Sequence, residues 1–369
     1  MKIAVSARNG SWDFECDAGE KILHAALRSG VELPYECATG TCGTCKATLV
    51  SGRHESHWPD APGHRHLKSA AEILTCQSVA HEDCRLEVGV LKPGEAETAA
   101  PRALGGVIEA YRRLTHDVVA FDVRLDEPLD FEAGQFALLT VPGIAGARAY
   151  SMVNFDRRAE RLSFVVKKKP DGAVSEWLFR DGVAGTRLGV FGPLGHATFR
   201  PGLAKHLLCI AGGSGIAGMM SILSRAGQEE HFSAWDGHVF FGVRTERDCF
   251  FLDELEALRA RHPARLSVTV ALSDEDVPPS LTAAYPSFGF ARGFVHAAAG
   301  ERMKGRFTDV RAYVAGPPPM VDASLRLLAA RGAPEARRYP LRQVQLIEID
   351  RERSDHGPVR VSRLRVHER

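Results

Sequence analysis

Four cysteines carry the clearest chemical signal in the sequence. Cys37, Cys42 and Cys45 stand within one short segment, and Cys76 follows much later. The spacing C-x4-C-x2-C with a distant fourth cysteine is that of a plant-type [2Fe–2S] cluster. Gly40 and Gly43 inside the segment lack a Cβ, which lets the backbone approach the inorganic sulfurs closely. The sequence therefore predicts these four cysteines as the ligands of a one-electron carrier.

Zinc and disulfides are the alternatives to this interpretation. Structural zinc sites usually show two close pairs of ligands, whereas this chain has a triplet and a single cysteine. Eight cysteines in 369 residues, with no visible signal peptide, do not resemble a secreted disulfide framework. We expect the remaining four to be small buried hydrophobes, because each is isolated: Cys16, Cys84, Cys209 and Cys249.

A glycine-rich turn is the second chemical signal. Residues 211–218 read Ala-Gly-Gly-Ser-Gly-Ile-Ala-Gly and lie between an apolar segment and a predicted helix. Residues 213–218 match the pattern G-x-G-x-x-G. Such a turn places a pyrophosphate on the exposed N–H groups of the helix start. The acid expected at the end of the second strand is missing, so the pattern predicts a nucleotide-binding sheet that differs from the classical dehydrogenase.

The segment between these two signals resembles the ferredoxin–NAD(P)+ reductase family. Arg148-Ala-Tyr-Ser151 follows Ala133-Gly-Gln-Phe136, as in the flavin motif of that family. The resemblance implies that Arg148 pairs with the FAD pyrophosphate and that Tyr150 packs on the isoalloxazine. It also implies that Ser151 forms a hydrogen bond near flavin N5, which makes Tyr150 and Ser151 the candidate catalytic residues. A guanidinium matches phosphate bidentately, and an aromatic face covers a planar ring.

Three further motifs extend the resemblance. Residues 165–167 and 172–175 resemble the second flavin segment, residues 192–195 the turn that closes the flavin domain, and residues 313–320 the loop beside the nicotinamide. The residues implied to bind FAD are Arg148, Tyr150, Ser151, Val165, Val166, Lys167, Gly172 and Ser175. Those implied to bind NAD are Gly212, Gly213, Ser214, Gly215, Ile216, Glu246, Gly316 and Pro317.

Hydrophobic patterns divide the chain into domains. Residues 1–95 predict an α+β, β-grasp-like ferredoxin, and the Ala-, Glu- and Pro-rich residues 96–103 a linker. Short β runs separated by turns over residues 104–203 predict an antiparallel β-barrel, which the resemblance implies binds flavin. Strand–helix alternation over residues 204–340 predicts a parallel α/β nucleotide domain. The tail, residues 341–369, has no assigned role.

Composition excludes several classes of partner. Of the residues, 44% are hydrophobic and 25% charged, which is ordinary for a globular protein. The net charge of +1 gives no reason to expect nucleic acid or a membrane surface as a partner. No apolar run approaches the roughly 20 residues that span a bilayer. With no targeting signal visible, we expect a cytoplasmic protein, and we expect it to be a monomer.

The resemblance covers roughly residues 1–335 and is strongest to reductase components of bacterial multicomponent oxygenases, such as those of phenol hydroxylase and benzoate dioxygenase. It implies that electrons pass from NADH through FAD and the cluster to an oxygenase component, in aromatic hydrocarbon catabolism. After the second strand, Thr245-Glu-Arg-Asp248 places acids, Glu246 among them, near where an adenosine 2′-group could lie. A carboxylate suits a ribose hydroxyl and repels a 2′-phosphate, so we expect NADH to be preferred, although Arg244 and Arg247 act in the opposite direction. The alternatives are a reductase for a deoxysugar dehydratase and a non-catalytic redox carrier or sensor.

Overall fold

Three large sheets, one in each predicted domain, organise the described part of the chain, and a two-stranded sheet (His54–Ser56 with Ser78–Ala80) adds to the first domain. The structure, a computed structural model, describes residues 1–91, 99–200, 202 and 204–330 and the strand at 347–350. In this part of the chain no helix is both long and apolar enough to cross a membrane.

The amino-terminal domain is a five-stranded sheet with one helix across it. Its strand order is β2-β1-β7-β3-β5, and β1 and β7 are parallel whereas the other pairs are antiparallel. Helix α1 turns its apolar residues into the core and ends at Arg28, and Gly30 just after its C-cap has a φ of 76°, as glycines in that position often do. Its elements are β1 (Lys2–Ala7), β2 (Gly10–Glu15), α1 (Ile22–Arg28), β3 (Lys46–Ser51), β4 (His54–Ser56), β5 (Glu72–Leu74), β6 (Ser78–Ala80) and β7 (Cys84–Glu87).

The middle domain is a six-stranded antiparallel sheet in the order β11-β10-β13-β8-β9-β12. Just beyond one edge strand, the Val153 N–H donates to the carbonyl of Ser163 on the other edge strand at 2.8 Å, so the sheet curls into a barrel. Its elements are β8 (Arg102–Arg113), β9 (Val118–Leu129), β10 (Phe136–Thr140), β11 (Arg148–Ser151), β12 (Ala159–Lys167), α2 (Ala173–Trp177) and β13 (Arg187–Leu194).

The third domain is a six-stranded sheet in the order β17-β16-β15-β14-β18-β19. The first five strands are parallel, and β19 is antiparallel to β18. Strand order reverses between β14 and β18, and ligands of open α/β sheets bind at such a point. The elements are β14 (His206–Gly212), α3 (Ile216–Gln228), β15 (Gly237–Val243), α4 (Leu252–Arg261), β16 (Leu266–Leu272), α5 (Pro279–Ala284), β17 (Gly289–Arg292), α6 (Val295–Arg302), β18 (Val310–Ala315), α7 (Pro318–Ala330) and β19 (Ile347–Asp350).

Apolar cores run through the domain boundaries. One core joins the barrel to the α3 side of the nucleotide sheet, and another lies on the opposite face beneath α6 and α7. The core of the amino-terminal domain continues into the barrel through the buried side chains of Phe136, Leu138, Phe191 and Leu194. Burying one such side chain contributes about 1.5–3 kcal/mol, so the domains are held in contact.

The predicted fold class is confirmed in all three parts. Sequence reasoning missed β17, α5 and α6, and strand β8 begins at Arg102, inside the segment assigned to the linker. The residue bounds of the domains stay predictions, since residues 92–98 lie outside the described part. Of the predicted tail, only the strand at 347–350 is described.

Candidate active site and cluster-binding loop

The four predicted cluster ligands come together on the amino-terminal domain. Cys37, Cys45 and Cys76 are buried, and Cys42 is partly exposed. The Sγ atoms of Cys45 and Cys76 are 3.1 Å apart. The Cys42 thiol donates a hydrogen bond that holds the pKa of Cys37 well below that of a free thiol. These close pairs of sulfurs are the donor set that a [2Fe–2S] cluster requires.

Backbone and side-chain N–H groups point at the ligand sulfurs. The Thr39 N–H lies 3.4 Å from the Sγ of Cys37, and the Thr44 N–H lies 3.4 Å from the Sγ of Cys42. The amide of Gln77 lies 3.7 Å from the Sγ of the preceding cysteine. Such donors stabilise thiolate, so the loop fits an anionic cluster.

Two glycines give the cysteine loop its shape. Gly40 has a φ of 88° and Gly43 a φ of 77°, in the left-handed region that glycine adopts readily. A Cβ on Gly40 would lie 2.8 Å from the Cγ of Gln77, and one on Gly43 would lie 2.8 Å from the Cβ of His66. Both positions therefore require glycine, for conformation and for space.

A cavity of about 1150 Å³ opens where the three domains meet. The cysteine loop reaches one side of it through Thr39 and Thr41. Strands β11 and β12 form the middle, and the glycine turn after β14 forms the far side. The predicted site residues that line the cavity are Arg148, Tyr150, Val166, Lys167, Gly172, Ser175, Gly212, Gly213, Ser214 and Pro317.

Strand β11 contributes both to the cavity and to the core shared with the amino-terminal domain. Arg148, Ala149 and Tyr150 line the cavity, and Ala149 also packs into the core shared with the amino-terminal domain. Within the described residues no carboxylate pairs with Arg148, whose side chain donates to the Ala147 carbonyl at 3.1 Å. An unpaired guanidinium beside an aromatic ring suits a phosphate and a planar cofactor. Ser151 is partly buried at the end of β11 and lies outside the cavity lining.

The second flavin segment begins on β12. Val165 is buried in the core, and Val166 and Lys167 line the cavity. The Lys167 ammonium lies 2.7 Å from the carboxylate of Asp117, which fixes the end of the strand. Of this segment, Val166 and Lys167 are placed to touch a cofactor.

A tight turn continues this segment. The Ser175 hydroxyl accepts from the Lys169 N–H at 3.0 Å and donates to the Gly172 carbonyl at 3.0 Å. A Cβ on Gly172 would lie 2.4 Å from the Ser175 oxygen. Both predicted residues therefore hold the turn in shape at the cavity wall.

The glycine turn after β14 packs directly against the turn after β18. A Cβ on Gly212 would lie 2.6 Å from the sulfur of Met320, and one on Gly215 would lie 2.4 Å from the Ala315 carbonyl oxygen. A Cβ on Gly316 would lie 3.0 Å from the Gly212 nitrogen. Gly213 has a φ of 53° and nothing within 4 Å of its Cβ position. The open space at Gly213 is what a nucleotide phosphate requires.

The remaining predicted nucleotide residues divide into two groups. Ser214 and Pro317 line the cavity, whereas Ile216 is fully buried and anchors the start of α3. Glu246 does not line the cavity. Its carboxylate instead accepts a hydrogen bond from the Ser280 hydroxyl at 3.1 Å. The exposed side chain of Arg244 lines the cavity instead.

Sequence reasoning missed residues that only the folded arrangement brings to the cavity. Trp58 comes from the amino-terminal domain, and Phe294 and His296 come from the start of α6. Phe294 is 67% exposed, and its ring stacks on that of His296 with an interplanar angle of 16°. The available sequence signal was Phe294 directly after Gly293 at the end of β17, but the sequence analysis did not predict β17.

Comparison with known proteins assigns each domain. A 2Fe-2S iron-sulfur cluster binding domain matches residues 7–81, an oxidoreductase FAD-binding domain residues 106–199, and an oxidoreductase NAD-binding domain residues 209–325. A ferredoxin–NAD(P)+ reductase of Metapseudomonas resinovorans is 35% identical over 322 residues, covering 86% of this chain and 93% of that protein. The reductase component of phenol 2-monooxygenase from a Pseudomonas species is 32% identical over 326 residues, covering 85% of this chain and 87% of that protein.

A solved structure has the same arrangement of domains. The ferredoxin reductase in carbazole 1,9a-dioxygenase has a TM-score of 0.76 and 32% sequence identity, and the match covers 90% of this chain and 95% of that one. Because one cavity connects the nucleotide turn to the cysteine loop past the flavin strand, fold and site define an oxidoreductase that uses NADH, FAD and a [2Fe–2S] cluster.

The chain belongs to the family of ferredoxin–NAD(P)+ reductases that form the electron-transfer components of mono- and dioxygenase systems. Family membership confirms the resemblance, the predicted class of enzyme and the three predicted cofactors. The individual binding residues stay predictions that the geometry described above supports.

Proposed function

We propose that this protein takes hydride from NADH and delivers the electrons one at a time to the oxygenase component of a multicomponent mono- or dioxygenase. A cavity that touches all three domains supports the proposal, because predicted nucleotide and flavin residues line it and the cysteine loop reaches it through Thr39 and Thr41. FAD supplies the step from two-electron to one-electron chemistry, and the protein supplies binding and orientation.

The residues have separate roles in this proposal. Arg148 binds phosphate with its unpaired guanidinium, and Tyr150 covers a planar ring. The open turn at Gly213 receives the nucleotide pyrophosphate. The four cysteines hold the cluster, whose surrounding loop reaches the same cavity through Thr39 and Thr41.

The partner is proposed from the names of the relatives. These proteins are named as components of alkene monooxygenase, phenol 2-monooxygenase and carbazole 1,9a-dioxygenase systems, which differ in substrate but each contain an oxygenase. We propose a monomer in the cytoplasm, where NADH is available, with an oxygenase component as its protein partner. Sedimentation of the purified protein tests the monomer.

Anaerobic reduction tests the electron path. Purified protein should contain FAD and two irons per chain, as the cluster formula requires. Addition of NADH should bleach the flavin and produce the electron paramagnetic resonance (EPR) signal of a reduced [2Fe–2S] cluster. Zinc in place of iron, FMN in place of FAD, or a bleached flavin beside an oxidised cluster would contradict the proposal. Turnover with purified phenol- and carbazole-type oxygenase components then tests the partner.

Ser151 is proposed as the polar group near the reacting flavin atom. Ser151→Ala should slow flavin reduction by NADH by roughly 10²–10³-fold if its hydroxyl acts mainly in the transition state. FAD content should stay normal. Ser163→Ala on neighbouring β12, also partly buried, is the matched control. Stopped-flow reduction of the Ser151 variant at the wild-type rate would show that the hydroxyl has a structural role only.

A further inference from the structure

The first turn of α1 is fixed against the segment that carries the fourth cysteine. The Leu23 N–H donates to the Thr75 carbonyl at 3.1 Å, immediately before Cys76. Lys21 forms an isolated antiparallel bridge with Val79, three residues beyond this cysteine. The backbone of this turn therefore stays at a constant position relative to the cluster.

The same turn contacts the flavin domain on its other side. The ring of His24 stacks on that of Phe191 of β13, with ring centroids 3.9 Å apart and an interplanar angle of 11°. Phe191 and Ala149 belong to the core that also contains Ile22 and Leu23. This turn therefore packs against the core that also contains Ala149, which lies between the two flavin-motif residues of β11.

Lys21 is the cation of this turn. It is partly buried, and no carboxylate pairs with its ammonium among the described residues. Burial lowers the pKa of Lys21, whereas the sulfurs of Cys76 and Cys45 oppose this by raising it, and the positive charge of Arg148 lowers it. The ammonium therefore lies within electrostatic range of the cluster ligands Cys76 and Cys45 and of Arg148.

We propose that Lys21 tunes electron transfer between flavin and cluster: its ammonium raises the reduction potential of the cluster. This rests on the proposed function. One electron leaves the reduced flavin and adds one negative charge to the oxidised cluster, while Lys21 neither gains nor loses a proton. A positive charge beside the cluster stabilises the more negative, reduced form, and net charge is among the factors that set such potentials.

Replacement of the charge at constant length tests this role. Lys21→Met should lower the equilibrium constant for one-electron reduction of the cluster about tenfold, which corresponds to about 59 mV. Lys21→Arg, which keeps the charge, should restore the wild-type potential. Lys2→Met is the control, because Lys2 is exposed on the same domain and pairs with Asp13 at 2.7 Å. The readout is an EPR-monitored titration of the holoprotein with dithionite and mediators.

A second readout follows the electron through the protein. In Lys21→Met the rate of cytochrome c reduction should fall relative to that of ferricyanide reduction, since the flavin must reduce a cluster of lower potential. An unchanged potential in Lys21→Met, or an equal shift in Lys21→Arg, overturns the proposal. Should the Met variant lose its cluster, Lys21→Gln gives the same comparison with a polar side chain. Dithionite titration needs neither NADH nor turnover, so an unchanged cluster potential can be distinguished from a failure of the proposed function.

Discussion

The cysteine loop and the nucleotide turn are both built on glycine, but for different reasons. In the cysteine loop, Gly40 and Gly43 lie against side chains, so that an added Cβ would collide with Gln77 or His66. In the nucleotide turn, Gly213 has open space at the corresponding position. The cysteine loop is shaped by the protein around it, whereas the nucleotide turn, although packed at Gly212 and Gly215, leaves room for a ligand at Gly213.

This difference separates assembly from binding. A substitution in the cysteine loop disturbs contacts within the protein, so it should reduce the amount of cluster formed. A side chain added at Gly213 meets no protein atom within 4 Å, so it should leave folding nearly intact and weaken nucleotide binding. Four predictions test the contrast.

The largest effect is expected from loss of a cluster ligand. Cys76→Ala should abolish the cluster, because all four thiolates are needed. Reduction of cytochrome c should be lost, whereas ferricyanide should still accept electrons from the flavin. Cys16→Ala is the matched control, since Cys16 is equally buried in the same domain but lies outside the ligand set. Equal loss of both activities would show that the domains function as one unit.

Gly43→Ala should lower cluster occupancy severalfold. The new Cβ would lie 2.8 Å from the Cβ of His66, and the alanine would have to adopt a φ of 77°. Gly30 has nearly the same φ of 76° but nothing within 4 Å, so Gly30→Ala isolates the cost of conformation alone, about 1–2 kcal/mol. Iron content and visible absorbance measure occupancy. Equal occupancy in the two variants would argue against the steric explanation.

Gly213→Ala should raise KM for NADH roughly tenfold, the effect of losing about 1.4 kcal/mol of binding. FAD and iron content should stay at wild-type values, because no protein atom approaches this position. Gly305→Ala is the control, since Gly305 lies in the same domain with a φ of 79° and open space around it. Unchanged KM would place the nucleotide elsewhere.

The smallest effect is expected at Glu246. Since its carboxylate is engaged by Ser280 and lies outside the cavity lining, Glu246→Gln should change the NADH-to-NADPH ratio of kcat/KM less than twofold, an energy below about 0.5 kcal/mol. Arg244→Ala should increase that ratio more, because this cation lines the cavity and attracts a 2′-phosphate. A larger change in Glu246→Gln than in Arg244→Ala would show that Glu246 selects between NADH and NADPH.

Chemical signals that are local in sequence were readable without the structure. The cysteine spacing and the glycine turn each lie within a few residues, and hydrophobic periods gave the class of every domain. The ligand set and the fold class follow from such patterns because each depends on neighbours along the chain.

Features that depend on packing between distant segments were not readable. Glu246 turns away because Ser280 lies on α5, a helix of six residues with too little periodicity to predict. The part that Thr39 and Trp58 take in the cavity depends on how the amino-terminal domain docks. Strand β17 has only four residues, none of them fully buried, so it lacks the apolar run of its neighbours.

The continuous core between the first two domains limits how these parts can be exchanged by engineering. A barrel cut free at the linker would present Phe136, Leu138, Phe191 and Leu194 to water as one apolar patch, and such patches promote association. A ferredoxin from another reductase would need side chains complementary to this patch. Chimaeric electron-transfer chains built from this protein should therefore exchange the barrel face together with the iron–sulfur module.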